Sequence, residues 1–327
     1  MRSEPDWSVA VNSGQPFGKG PGHAGGNGSQ HGEPSATRRP KTVVVERVPA
    51  PAVLYARALA GLMRRHRVNV LPALRLVRPA VTLDPLAMER YARVCGFIPE
   101  HGVPLTFIHV LAFPLHLMLL TDPAFPWSAP GIVHLANHVH LRKPLAEGDV
   151  LRVEAEFGAL LRHEKGQAFV LNSRVYRRGE AVWDGESVYL KRGIAATGDP
   201  LDSMAFERDA LARLARWQLP RQLGRDYASV SGDYNPIHLT ALSAKVFGFP
   251  RAIAHGMWTL GRACAALQPP KPLASASASA EFKLPLALPG EASLWSAATS
   301  LVEREFEVRD AAGEKPHLRG RFQWVLR

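Results

Sequence analysis

The sequence contains only two cysteines, Cys95 and Cys264, in 327 residues. Two thiols cannot hold together a disulfide-framed secreted scaffold, so we expect a cytoplasmic protein in which both cysteines are small core side chains. The sequence also lacks a long apolar run. The longest, residues 110–120, contains His116 and is shorter than the about 18 residues that a membrane span requires. We therefore predict no membrane span, but a buried helix with Pro114 in its first turn.

Acidic residues are fewer than basic ones: 29 Asp and Glu stand against 40 Lys and Arg, which gives a net charge of +11. Such a balance favours anionic partners, among them nucleic acids, anionic lipids, phosphorylated cofactors and acidic carrier proteins. The sequence has no zinc-finger spacing, RNA-binding aromatic strand motif or basic helix, so we predict no nucleic-acid partner. It also has no histidine and cysteine cluster with zinc spacing and no calcium loop, so we predict no metal.

The chain divides into a tail and two similar halves. Gly and Pro fill about a third of the first forty residues, and such a stretch buries too little apolar surface to order, so we expect residues 1–43 to be disordered. Two later segments then match at an offset of 136 positions, in the pairs Tyr91/Tyr227, Ala92/Ala228, Val94/Val230 and Gly96/Gly232. The repeat predicts a duplicated domain, with copies at residues 44–200 and 201–327.

Each half combines helices with antiparallel strands, which predicts an α+β fold. Asp84-Pro85 has the form of a helix start, with a capping side chain followed by proline. Residues 151–157 and 318–326 alternate between apolar and polar side chains, as strands do. The Ala/Ser alternation of residues 274–280 predicts a strand with one small-residue face that a helix can approach closely, and a flexible linker is the alternative.

Residues 50–68 lie near the start of the first copy. Leu54, Tyr55, Ala58 and Leu62 have helical spacing, and basic residues follow them. This pattern predicts a helix that packs on the first domain, with a membrane-surface helix as the weaker alternative.

The second half contains a carboxylate and an imidazole that a turn can bring together. Asp233 and His238 flank an Asn-Pro step, and Gly232 bends the chain before it. Such a pair can hold one water and exchange protons with it, and Asn235 can add a hydrogen bond to that water. The alternative is structural: Asp233 and Asn235 would form Asx turns, and His238 would be a surface residue.

A second feature lies downstream, where His255-Gly256 opens a predicted helix. A glycine at this point lets a carbonyl approach backbone N–H groups at the positive end of the helix dipole, so an oxyanion could be stabilised there. In the alternative, His255 only caps its helix.

The sequence of residues 227–257 resembles the signature of the MaoC-like dehydratases, the (R)-specific or type 2 enoyl-CoA hydratases. The matching elements are Tyr-Ala-x-Val-Ser-Gly-Asp, Asn-Pro-Ile-His and Ile-Ala-His-Gly-Met, and the likeness extends over about residues 45–327 to the two-domain members. The resemblance implies a tandem, double hot-dog fold, in which curved antiparallel sheets each wrap a central apolar helix.

The resemblance also implies the chemistry, a reversible syn hydration of a trans-2-enoyl thioester to a (3R)-3-hydroxyacyl thioester. It makes Asp233 and His238 the catalytic pair, with Asn235 as a third catalytic residue between them. Gly256 and His255 are the expected thioester-oxyanion residues, and the Gly256 N–H is the donor to the thioester carbonyl. Residues 236–250 match a segment that covers the active site. No cofactor or metal is implied beyond coenzyme A, or an acyl carrier protein, as part of the substrate.

The first copy departs from this signature. Phe97 stands at the position of Asp233, and Gly102 at that of His238, with His101 one position away. His109 precedes Val110 instead of a glycine. We therefore predict one active site per chain, in the C-terminal half. The resemblance to the two-domain members implies that the first copy makes room for a longer or bulkier acyl chain.

Two other functions remain open from the sequence: a hot-dog acyl thioesterase, and a non-catalytic subunit that binds acyl thioesters. Monomer and homodimer are both compatible with a double hot dog. The candidate contacts for the anionic carrier are Arg142, Lys143, Arg251 and Lys283, and CoA is favoured over acyl carrier protein.

Overall fold

The computed structural model describes residues 39–63, 69–206 and 211–327. The predicted tail therefore lies almost wholly outside the described residues. Its last part is an exception, because Lys41–Val44 forms strand β1, paired in parallel with Leu74–Val77 of β2. The disordered tail was expected to end at residue 43. The expected boundary lies too far along the chain, because Lys41–Val44 forms the edge strand of the sheet.

Twelve strands and seven α-helices are formed by the described residues. The strands are β1 (Lys41–Val44), β2 (Leu74–Thr82), β3 (Ile132–Leu141), β4 (Val150–His163), β5 (Gly166–Arg177), β6 (Glu180–Arg192), β7 (Asp199–Pro200), β8 (Ala212–Leu219), β9 (Leu273–Phe282), β10 (Gly290–Ser300), β11 (Glu303–Asp310) and β12 (Pro316–Leu326). The helices are α1 (Pro51–Ala60), α2 (Pro85–Cys95), α3 (Phe107–Thr121), α4 (Leu223–Ser231), α5 (Pro236–Leu239), α6 (Ala241–Val246) and α7 (Gly256–Leu267). Short 3₁₀ turns occupy Gly61–Met63 and Pro99–His101.

The strands form one continuous sheet whose two halves repeat the same order. The order is β1-β2-β4-β5-β6-β3-β9-β12-β11-β10-β8, with β7 paired to β4. The five strands from β2 to β3 match the five from β8 to β9, and the halves join where β3 and β9 pair antiparallel. This two-fold repetition agrees with the duplication that the sequence predicts.

One long helix packs on the sheet in each half, which confirms the hot-dog fold. Helix α3 contacts β2, β4 and β5, and α7 contacts β9, β11 and β12. Pro114 lies inside α3 and not in its first turn, because the helix begins at Phe107. Proline removes one helical hydrogen bond there, and Arg78 donates to the carbonyl of neighbouring Leu111 at 3.2 Å.

Small side chains allow α7 to lie close to the sheet. The Ala/Ser segment is strand β9, so the linker alternative is wrong. Ala276, Ala278 and Ala280 are buried in the core, while the serines of the alternation lie on the opposite face.

The two halves also meet through equivalent helices. Helices α2 and α4 end at Gly96 and Gly232, both in the left-handed region at φ 80° and 74°. Their tyrosines, Tyr91 and Tyr227, lie 6.0 Å apart between ring centroids in the common core. The predicted cap of α2 is confirmed, since the Asp84 side chain accepts a hydrogen bond from the backbone N–H of Leu86. None of the helices formed by the described residues is long and apolar enough to cross a membrane.

Candidate active site

A sharp turn after α4 brings the predicted acid–base pair into one cleft. Gly232 ends the helix, and the four-residue α5 starts directly after Asn235 with Pro236 at its first position. Asp233 therefore lies before the short helix and His238 lies within it. Both side chains line the same cavity.

The Asp233 carboxylate is held by two hydrogen-bond donors. Its Oδ1 accepts hydrogen bonds from the Tyr55 hydroxyl at 2.7 Å and from the Asn235 backbone N–H at 3.2 Å. Burial alone would raise the pKa of Asp233, but His255, His238 and the Tyr55 hydrogen bond outweigh it and hold the pKa below its ordinary value. Asp233 is therefore a carboxylate at neutral pH.

His238 is a neutral hydrogen-bond acceptor. Its Nδ1 donates to the Ile253 carbonyl at 2.8 Å, because a carbonyl can only accept, and this bond leaves Nε2 as an unprotonated acceptor in the neutral ring. Burial lowers the pKa of His238 below its ordinary value. The ring stacks on that of His255, with centroids 3.7 Å apart.

His255 ties the two parts of the motif together. It is the residue before α7, but its side chain makes no capping hydrogen bond, so the capping alternative is wrong. Its Nε2 instead donates to the Asp233 backbone carbonyl at 2.9 Å, and its Nδ1 is buried without a partner among the described residues. Burial lowers the pKa of His255 to about 3, so the ring is neutral.

Gly256 is the first residue of α7 and lines the cavity. A Cβ at this position would lie 2.8 Å from the ring of Phe282. The glycine is therefore required for this close approach, and the N–H groups of the first helical turn have no partners within the helix. The predicted donor for a thioester oxygen thus lies where α7 meets β9.

Asn235 does less for a bound water than the sequence suggests. Its side-chain oxygen accepts the Ile237 N–H at 3.4 Å and caps α5. Both Asp233 and Asn235 form the Asx turns of the structural alternative. His238, however, is buried and not a surface residue, so the alternative fails at that position.

The three polar side chains at the centre are close enough to share a small ligand. Asp233, His238 and His255 place nitrogen and oxygen atoms within 4.8 Å of one another. A water at about 2.8 Å from each of two acceptors fits such a separation. The same atoms could approach a metal ion, but each histidine already has one ring nitrogen bonded to a backbone carbonyl.

The cavity extends from this centre into the N-terminal half and has a volume of about 510 Å³. Helix α1 contributes Tyr55 and Leu59, while α3 contributes Phe113 and Leu117. Within residues 236–250, the segment predicted to cover the site, Phe247 and Phe249 line the cavity, as do residues of α5.

The counterpart of this site in the first half has no carboxylate at the position of Asp233. Phe97 is buried and stacks on Tyr91 with ring centroids 6.3 Å apart. His101 lies in a 3₁₀ turn, where its carbonyl accepts from Gln268. His109 lies in the first turn of α3 and lines the same cavity as Asp233.

Of the four candidate cations for the carrier, Lys283 alone lines the cavity. Arg142 pairs with Asp184, and Lys143 pairs with Glu180. Arg251 is exposed and donates to a backbone carbonyl. Lys283 lines the cavity, where it forms an ion pair with Glu281 at 2.6 Å.

Sequence reasoning missed Tyr55 as a site residue. Its helical spacing predicts a packing position, and α1 does pack on α3. The only sign of another role is chemical, because a hydroxyl stands among the buried apolar positions Leu54 and Ala58. The part of the predicted helix after residue 63 lies largely outside the described residues.

The chain is similar to several known proteins. A family model described as a MaoC-like domain matches residues 209–272. The 3-hydroxyacyl-thioester dehydratase X of Mycobacterium tuberculosis is 31% identical over 232 residues, which cover 71% of this chain and 82% of that protein. The crystal structure of HtdX from Mycobacterium tuberculosis has a TM-score of 0.67 at 28% identity and covers 77% of this chain and 100% of its own. The peroxisomal enoyl-CoA hydratase 2 of Arabidopsis thaliana is 26% identical over 44% of this chain and 52% of that protein.

Proposed function

This chain belongs to the family of MaoC-like dehydratases, and from that premise we propose that it catalyses reversible hydration of a trans-2-enoyl thioester to a (3R)-3-hydroxyacyl thioester. One observation carries the proposal. A carboxylate and a neutral imidazole acceptor, Asp233 and His238, line one cavity with the N-terminus of α7 at Gly256. The relatives named for this reaction support the same conclusion.

The resting protonation states fit the binding of a water. The Asp233 carboxylate and Nε2 of His238 can each accept a hydrogen bond from the same water molecule, which leaves a lone pair on its oxygen for attack. Stacking on His255 and the hydrogen bond to the Ile253 carbonyl fix the imidazole in this orientation.

Hydration then needs one proton transfer in each direction. The water oxygen bonds to C3 while one of its protons passes to the pair, and the C2=C3 electrons move toward the thioester oxygen. The N–H groups at Gly256 would stabilise the resulting enolate-like oxygen. The pair then protonates C2 from the face that delivered the oxygen, which gives syn addition and restores both groups. Dehydration follows the same steps in reverse.

We propose coenzyme A as the carrier in preference to acyl carrier protein. The net charge of +11 favours a ligand with several phosphates, and the cations Arg192 and Lys283 line the cavity. No additional cofactor enters the reaction.

The test is hydration of crotonyl-CoA and of a medium-chain trans-2-enoyl-CoA, followed by loss of the enoyl absorbance. Asp233→Asn is expected to reduce the rate by about a hundredfold or more, because it removes an acid–base group. Asp226→Asn is the matched control, since Asp226 is an exposed carboxylate on α4. It is expected to retain full activity.

A simultaneous assay for free thiol separates this function from thioester hydrolysis. Thiol release without loss of the double bond would overturn the proposal in favour of a thioesterase. Binding of both esters with neither reaction would indicate a non-catalytic subunit. Activity of Asp233→Ala through the first half of the chain would contradict a single site per chain.

A further inference from the structure

The inner part of the cavity contains polar side chains that the hydration mechanism does not use. His109 of α3, His134 of β3 and Tyr189 of β6 line the cavity on the side of the N-terminal half. We call these three residues the inner polar patch. The ring centroids of His134 and Tyr189 are 4.6 Å apart, and those of His109 and His134 are 6.3 Å apart. An apolar acyl chain gains nothing from these groups.

Two members of the inner polar patch have protein partners. Nε2 of His134 lies 3.4 Å from the amide nitrogen of Asn137, and the Tyr189 hydroxyl lies 3.4 Å from Nδ1 of His116. These bonds fix two aromatic rings as one wall of the cavity.

His109 differs, because neither of its ring nitrogens has a hydrogen-bond partner among the described residues, and its Nδ1 is buried. Only 3% of the residue is exposed. A proton on the buried Nδ1 would have no acceptor, so the single N–H of the neutral ring lies on Nε2, where it also has no acceptor among the described residues and costs free energy. A ligand oxygen in the cavity would remove this cost.

The inner polar patch lies close to the predicted reaction centre. The ring of Phe282 would be 2.8 Å from a Cβ at Gly256, and its centroid lies 4.8 Å from that of His134. One aromatic ring therefore separates the proposed thioester contact from the patch. An acyl chain that continues past C3 into the N-terminal half would run alongside it.

The absence of charge on the inner polar patch favours an uncharged ligand oxygen over a carboxylate. Burial lowers the pKa of His109 to about 4 and that of His134 to about 3, so both rings are neutral at physiological pH. The Asp233 carboxylate is near enough to act on both pKa values. A second carboxylate, on the substrate, would be repelled by Asp233 and would find no cation in the patch.

We infer that the inner polar patch binds an uncharged oxygen, a hydroxyl or keto group, on the acyl chain of the substrate beyond C3, with His109 as its hydrogen-bond donor. This inference rests on the proposed function and names its substrate class: the preferred substrates are oxygen-substituted enoyl thioesters and not plain alkyl chains.

The test compares a medium-chain trans-2-enoyl-CoA with matched chains that carry a hydroxyl or keto group at successive positions beyond C3. The wild type should show a kcat/KM about tenfold higher for the best oxygen-substituted chain, because a site built for a hydrogen bond discriminates against an analogue that lacks it. His109→Leu should bring this ratio to about one, and His109→Gln should retain part of it because an amide donor remains. Comparison of the hydroxyl and keto series shows which group is preferred.

Val110→Ala is the control for altered cavity shape. Val110 lines the cavity beside His109 but has no polar atom in its side chain, so this variant should change the rates for both kinds of chain and leave their ratio intact. A wild-type ratio near one, or an equal loss with both kinds of chain in His109→Leu, would overturn the inference. In the second case His109 would have only a structural role.

A binding measurement tests this inference independently of the proposed function. Calorimetry with saturated acyl-CoAs, with and without the oxygen, measures the patch independently of catalysis. Oxygen-dependent binding that disappears in His109→Leu, without any hydration, would reject the proposed function and support the patch. Hydration without any preference for oxygen would reject the patch and support the proposed function.

Discussion

The Tyr55 hydroxyl donates a 2.7 Å hydrogen bond to Oδ1 of Asp233, although 178 positions separate the two residues in the chain. Helix α1 thus contributes directly to a reaction centre whose Asp233, His238 and His255 come from the C-terminal half. The phenol remains protonated, because burial and the adjacent Asp233 charge raise the pKa of Tyr55. We interpret Tyr55 as a positioning residue that stabilises the ionised form of Asp233.

Tyr55→Phe removes this hydrogen bond while it keeps the ring. The pKa of Asp233 should rise, and kcat should fall about tenfold with little change in KM, since a hydrogen bond to a charged group is lost. The pH–rate profile is the decisive measurement, because its acidic limb should move to higher pH. Val53→Ala, at an exposed position of α1, is the control. An unchanged profile in Tyr55→Phe would reduce Tyr55 to a packing residue.

Gly256→Ala tests the close approach at the start of α7. The added methyl group would meet the Phe282 ring at 2.8 Å, and it would crowd the N–H groups offered to the thioester oxygen. We expect kcat/KM to fall by about a hundredfold, the lower end of the range for loss of one oxyanion donor. The double variant Gly256→Ala/Phe282→Leu separates the causes. Full recovery of activity would show that the glycine serves only to accommodate Phe282.

Stability should fall as pH decreases below neutrality. Burial lowers the pKa values of His109, His134 and His255 to about 4, 3 and 3. Between the unfolded pKa of about 6.5 and these values the unfolded chain binds more protons, so the free energy of unfolding rises with pH. Thermal unfolding should show a constant Tm just above neutral pH and a decreasing Tm from about pH 6.5 downward.

His109→Leu tests whether these buried histidines cause the dependence of stability on pH. One of the three groups no longer titrates, so the dependence of Tm on pH should become less steep in that range. A Tm independent of pH between about 7 and 5 would mean that these histidines are accessible to protons in the folded state.

Removal of metal ions should leave the hydration rate unchanged. Nδ1 of His238 and Nε2 of His255 are bonded to carbonyls, and Nδ1 of His255 is buried, so few ligand atoms remain free to meet at one ion. Dialysis against a strong chelator, followed by the absorbance assay, measures this. Loss of activity that added Zn²⁺ restores would show that Asp233, His238 and His255 hold a metal.

Local sequence predicts well those parts of the site that adjacent residues build. Gly232 ends α4, Pro236 starts α5, and the turn between them brings Asp233 and His238 to one cavity. The alternation of β9 and the start of α7 after His255 are equally visible in the sequence. Each depends on spacing and turn chemistry within a short segment.

Other features depended on contacts that spacing does not encode. Pro114 was expected at a helix start, but tertiary packing of α3 accommodates it in the helix interior. His255 was expected as a cap or an oxyanion group, and it bonds instead to the loop that carries Asp233. In each case a partner distant in sequence competes with the local pattern.

The sequence by itself determined the α+β class, the duplicated halves and the position of the acid–base pair, because periodicity, repeats and turns are local properties of a chain. Only the tertiary structure decided what surrounds that pair. Tyr55 reaches Asp233 because α1 packs on α3, and Phe282 meets His134 because β3 pairs with β9. Such neighbours are set by the order of strands and the packing of helices, which depend on the free energy of the whole fold and not on the spacing within any one segment.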